Sequence, residues 1–185
     1  MSSEFADNPS YVQCEMLLKE VHRLIGEGKG DTDEADFIRD SMEEPEQGIT
    51  PTEGARLRGL SADLYMLQDD EIYEPYEGTQ EELRLRLNDA WEQGRYEAVL
   101  ALLRKGTPFL TPERVAYLRG RCYAALGHLE TALLFLRYAA ERDPERAAYR
   151  VAVLDLLLKL HRADDALAEA ASYLKATAEP LLLAV

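Results

Sequence analysis

Residues 120–144 read GRCYAALGHLETALLFLRYAAERDP, and the spacing of small and aromatic residues in this stretch decides the fold class. Gly120 and Ala132 are small enough to let two helices of a pair approach closely, Tyr123 and Leu136 fill the space beside them, and Gly127 permits the turn between them. Pro144, after Asp143 as N-cap, is expected to open a further helix in its first turn. The same order recurs along the chain. Val99 precedes Ala132 by 33 residues and Ala166 follows it by 34. AWEQGRYEAVLALLRKG, residues 90–106, supplies Gly94, Tyr96, Val99 and Leu103 in matching order, with Leu83 and Leu87 on the preceding helix. Residues 147–178 keep Ala166 and Ala170 and carry His161 where the turn glycine would stand.

Working outward, helix starts punctuate the rest of the chain. Thr79 with Glu82 and Thr50-Pro51-Thr52-Glu53 are capping-box starts, and Thr111-Pro112 places proline where a free N–H is not needed. Asp31 with Glu34 predicts a short helix through Phe37 and Ile38 that ends before Pro45. Val12, Met16, Leu17, Val21, Leu24 and Ile25 recur at spacings of three and four, which predicts a first helix with these residues on its buried face, stopped by Gly26, Gly28 and Gly30. A third helix is expected through Leu57, Leu60, Leu64 and Leu67. No stretch has the alternation of a strand. The expected class is therefore all-α, built from antiparallel helix pairs joined by short turns.

A period of 33 to 34 residues with these small, aromatic and turn positions resembles the tetratricopeptide-repeat family. The resemblance covers roughly residues 80–178, as two and a half to three repeats. It implies stacked helix pairs in which the first helix of each pair lines a concave surface that holds an extended or helical peptide. Separately, GKGDTDEADFIRD and RLRGLSADLY resemble a segment of uncharacterised bacterial proteins, to which no function attaches.

Charge divides the chain in the same place. Residues 1–80 carry 20 acidic and 6 basic side chains, whereas residues 81–185 carry 15 of each. We expect an acidic helical N-terminal region over residues 1–79, with residues 68–79 as connector, and a helical array over residues 80–185. The net charge of −14 opposes direct binding to nucleic acid or to an anionic membrane, and no stretch approaches the ~18 consecutive apolar residues of a membrane span. With only two cysteines, Cys14 and Cys122, in separate helix-like contexts, a reducing, cytoplasmic setting is expected, with both as small core residues.

The usual signatures of catalysis do not assemble. His22, His128 and His161 lack metal-ligand spacing, and His128 and His161 fall at expected turns. Asp31, Asp33, Glu34, Asp36 and Asp40 are dense enough for calcium, but Asp36 sits where the loop needs glycine and Met42 where it needs the closing Glu. GEGKG at 26–30 follows no strand and precedes no Lys-Ser/Thr pair. No enzyme, cofactor or metal is expected.

A binding face remains. Arg84, Asn88 and Trp91 share one helical face, and Arg114, Tyr117, Arg121 and Ala124 share another, both basic and aromatic. The family resemblance assigns both to a groove for another protein or peptide segment. It also matches Arg84 and Asn88 to positions that grip a terminal carboxylate in some members. Leu118, Ala148 and Ala152 stand where the rest of that clamp would be polar, which argues against recognition of a free C-terminus. The function expected is a scaffold or adaptor. The alternatives are a secretion-type chaperone and an acidic regulator or nucleic-acid mimic acting through residues 1–79.

Overall fold

The computed structural model describes residues 8–68 and 75–182, the side chains only as far as Lys175. These residues form helices and no strand: α1 (Pro9–Gly26), α2 (Asp33–Asp40), α3 (Glu43–Glu46), α4 (Pro51–Leu64) followed by a 3₁₀ turn (Tyr65–Gln68), α5 (Gln80–Glu92), α6 (Tyr96–Leu103), α7 (Pro112–Ala125), α8 (Leu129–Arg142), α9 (Ala147–Lys159) and α10 (Ala163–Leu182). None of the described helices is long and apolar enough to cross a membrane. The chain divides into two compact units between Pro108 and Phe109. Residues 69–74, the middle of the expected connector, lie outside the described residues.

In the first unit, local capping chemistry also makes long-range contacts. Thr50 and Glu53 exchange hydrogen bonds across the first turn of α4, with the Thr50 N–H donating to Glu53 Oε2 at 2.6 Å. The same carboxylate accepts from Asn8 Nδ2 at 3.0 and 3.1 Å, and Asn8 itself caps α1 by accepting from the Ser10 N–H. One side chain thus fixes the starts of two helices. Further along, Arg104 at the end of α6 forks onto Asp63 of α4 with two hydrogen bonds of 2.9 Å, and Asp63 is wholly buried. Arg56 of α4 also pairs with Glu97 of α6.

Three local expectations need correction here. Val12 and Met16 are exposed, and α1 instead buries Tyr11 and Cys14 against Leu57 and Val21 and Leu24 against Ala35 and Ile38. Helix α1 has neighbours on two sides, α2 and α4, so its buried face is wider and rotated relative to the single stripe. The cap of α2 is Thr32, whose hydroxyl accepts from the Ala35 N–H, rather than Asp31. Leu67 lies past the end of α4, in the 3₁₀ turn, and is only half-buried.

In the second unit, α7 and α8 pack together, α8 against α9, and α9 against α10. A Cβ on Gly120 would fall 2.7 Å from Leu136 Cγ and 3.1 Å from the Ala132 carbonyl oxygen, so the α7–α8 approach is closed to any larger residue without movement. Tyr123 and Phe135 stack nearly parallel beside it, with centroids 5.5 Å apart. Pro144 does not open α9, which starts at Ala147 with Arg146 as N-cap. The ring cannot continue α8 and draws Asp143 out of helical backbone (φ −129°), so residues 143–146 form a turn closed by the Arg146 N–H on the Asp143 carbonyl at 3.2 Å.

One local geometry recurs along the chain. Gly94, Gly127 and His161 follow α5, α7 and α9 with φ of 67°, 91° and 58°. After each, the next N–H reaches back to a carbonyl five residues earlier: Arg95 to Ala90, His128 to Tyr123 and Arg162 to Leu157, all at 2.9 Å. These are Schellman closures, in which a left-handed residue turns the chain while the last helical carbonyls stay satisfied. The following helices, α6, α8 and α10, each begin two residues after the left-handed residue.

Candidate functional site

The second unit contains an open groove of about 420 Å³ between α7 and α9. Tyr117, Arg121 and Ala124 form its α7 wall, residues spaced four and three apart and therefore on one face. Ala148, Val151, Ala152, Asp155, Leu156 and Lys159 form the α9 wall, and Leu136 of α8 lies at the floor. The groove is lined by both apolar and charged side chains.

Its polar end is organised around Tyr117. Arg121 Nη1 donates to the Tyr117 hydroxyl at 2.9 Å, and the guanidinium groups of Arg114 and Arg121 lie 5.2 and 5.8 Å from the Tyr117 ring centroid. Behind it, Tyr149 is fully buried with its ring 4.8 Å from that of Tyr117, and Arg146 donates to the Tyr149 hydroxyl at 3.2 Å. The tilted ring contact holds Tyr117 in place, and Tyr117 orients the two arginines. On the α9 wall, Lys159 pairs with Asp155 at 2.7 Å. Among the described residues, neither Arg114 nor Arg121 has a carboxylate partner.

The other residues that the sequence marks lie on α5, in the first unit. Arg84 is exposed and bound to Glu81 through hydrogen bonds of 2.7 and 3.0 Å, Asn88 is exposed, and Trp91 is half-buried with its ring edge-on to Tyr96 at 6.0 Å. Leu118 is buried and turned away from the groove, whereas Ala148 and Ala152 line it. Of the α9 wall, the sequence marked Ala148 and Ala152, as clamp positions without polar groups, but not Val151, Asp155, Leu156 or Lys159. Their spacing along α9 also fits an ordinary amphipathic helix.

A second polar cluster sits in the first unit. His22 is buried, with Nε2 3.0 Å from Ser61 Oγ, Nδ1 3.3 Å from Gln68 Nε2 and its ring edge-on to Tyr65 at 4.6 Å. The arrangement superficially resembles a serine–histidine dyad. Gln68 Nε2 also donates to the His22 carbonyl at 2.8 Å, which orients the amide so that its N–H faces Nδ1. With Nδ1 accepting, the ring proton belongs on Nε2, which donates to Ser61 and has no lone pair to take the hydroxyl proton. Burial lowers the imidazole pKa to about 4, so the neutral ring is held as a structural strut. Nothing in the cluster activates Ser61.

The acidic stretch around α2 is explained by local pairing and capping. Asp36 pairs with Arg39 at 2.7 Å, and Asp33, Glu34 and Asp36 occupy the first turn, where the helix dipole favours negative charge. Among the described residues, no group of three His, Cys, Asp or Glu side chains is placed to hold a metal ion. No family model, no curated protein and no solved structure matches this chain.

Proposed function

We propose that this chain is a non-enzymatic protein-interaction module, a short tetratricopeptide-like array over residues 80–178, that binds a segment of another protein. The α7–α9 groove carries this proposal, because it combines an apolar wall with an exposed arginine, Arg121, oriented on an aromatic ring. Such a surface suits a peptide, where apolar contact supplies affinity and a few fixed polar groups set register. The recurrence of the left-handed closures at 94, 127 and 161 supports the repeat assignment, since stacked helix pairs of one length need their reversals at one spacing. As a scaffold or adaptor it would work in the cytoplasm, where the buried thiols of Cys14 and Cys122 stay reduced.

A peptide-display selection on the full chain tests this. Binders are expected to lose affinity on Val151→Glu, which charges the groove at a side chain already 61% exposed. They are expected to ignore Leu85→Glu, an equally exposed leucine on α5. Binders insensitive to Val151→Glu would remove the groove from consideration.

A second reading, the acidic regulator, has one observation in its favour. Phe37 stands 73% exposed on α2 among exposed Asp33, Glu34, Asp36 and Asp40, an aromatic anchor in a field of negative charge. A basic partner found for the full chain should lose affinity on Phe37→Ala and at high salt. Indifference to both would discard this alternative.

A further inference from the structure

We infer that the α7–α9 groove takes an acidic and aliphatic segment: a side-chain carboxylate held by Arg121 at Tyr117, with the charge of Arg114 over the same ring adding attraction and a neighbouring aliphatic side chain against Val151 and Ala152. This inference rests on the groove being the binding surface and adds the chemistry of what it binds.

Several exposed arginines take a neighbouring acid, as Arg84 takes Glu81, Arg95 takes Asp89, and Arg162 takes Asp165 and Glu130. Arg114 and Arg121 instead meet a ring face and a neutral hydroxyl. A guanidinium has five N–H donors, and the one bond from Arg121 to Tyr117 leaves most of its fork available. Because Tyr117 is backed by buried Tyr149, the arginines are oriented before any ligand arrives, which lowers the entropic cost of binding. Charge complementarity therefore selects an anion.

The remaining wall narrows the anion. Asp155 lines the same groove and is only partly offset by exposed Lys159, so it disfavours a dianion such as a phosphate more than a single carboxylate. Val151 and Ala152 give an aliphatic neighbour a place to lie, and Ala148 and Ala152 provide no polar group to meet a free C-terminal carboxylate as well. A side-chain carboxylate within a chain is the better match.

The experiment measures binding of the full chain to acetylated, amidated peptides in which Glu flanks Leu, alongside isosteres carrying Gln or phosphoserine at the Glu positions. Glu peptides are expected to bind with dissociation constants below about 1 mM and roughly tenfold more tightly than Gln peptides, in the range of hydrogen bonds to a charged group. That preference should disappear in the R114E/R121E variant and survive in R86E, at an exposed arginine of α5, with melting temperatures showing that both fold. Equal binding of Glu and Gln peptides overturns the inference, as does tighter binding of phosphoserine or no binding of Glu peptides at millimolar concentration. If Glu and Gln peptides bind equally yet Val151→Glu abolishes both, the groove stands and only its charge preference falls. Binding insensitive to Val151→Glu and to R114E/R121E removes both.

Discussion

His22 has both ring nitrogens committed to neighbours, and its stability contribution follows from its depressed pKa. Above the ordinary value of 6.5 it is neutral folded or unfolded. As pH falls from 6.5 towards about 4, the unfolded chain takes up a proton that the folded chain resists, so stability decreases on acidification, by up to about 3 kcal/mol from this group. Urea unfolding at pH 7, 5.5 and 4 should show the extra loss in the native chain and less of it in His22→Gln. An NMR titration of His22 with a midpoint near 6.5 would contradict the mechanism. At His161 the backbone is left-handed without the freedom of glycine. His161→Gly should therefore stabilise by up to about 1 kcal/mol, and Gly127→Ala should cost about as much, both measured by denaturant midpoint. The sequence marked 161 as a turn but could not reveal its φ, because that angle is imposed by closure of α9 rather than chosen by the residue.

At the level of elements, the α7–α8 approach depends on Gly120. Alanine there gains about 1 kcal/mol of helix propensity but must push Leu136 or the Ala132 carbonyl aside, and overpacking of roughly 1–3 kcal/mol should outweigh the gain. Gly120→Ala should lower the melting temperature and Gly120→Leu should lower it further. An unchanged melt for Gly120→Leu would mean that the two helices can separate freely. The Asp63–Arg104 pair makes a parallel case between α4 and α6: Arg104→Ala strips both of these hydrogen bonds and their positive charge from a buried carboxylate and should cost about 3–5 kcal/mol in chemical denaturation. Helix starts such as Thr50–Glu53 and Thr79–Glu82 were legible because a capping box lies within four residues of chain. The rotation of α1 and the turn after α8 were not, since they depend on which neighbours dock. The groove was legible on its α7 wall, where Tyr117, Arg121 and Ala124 share a face with Arg114 one turn before them. Its α9 wall was legible only at Ala148 and Ala152, because Val151 and Leu156 look like core residues until the surrounding helices are placed. Asp63 and Arg104, 41 residues apart, carry no local signal of their pairing.

Over the whole molecule, charge works against compactness. With 35 acids to 21 bases, mutual repulsion should exceed the small gains from exposed ion pairs, so raising sodium chloride from about 20 mM to about 500 mM is expected to increase the melting temperature. A fall would mean that the ion pairs dominate. The regular placement of Gly94, Gly127 and His161 has a different consequence, for how such a chain can change over evolutionary time. What recurs is a count of residues from one reversal to the next, while the residue at the reversal is glycine at 94 and 127 and histidine at 161. A single inserted residue inside α7 or α8 would rotate everything after it by about 100° and carry buried side chains out to water. The same insertion between Arg104 and Leu110, where no helix is present, would leave each helix's own register intact. Descendants of this chain should therefore vary freely in composition and sparingly in length, with their insertions and deletions gathered in irregular stretches such as this one.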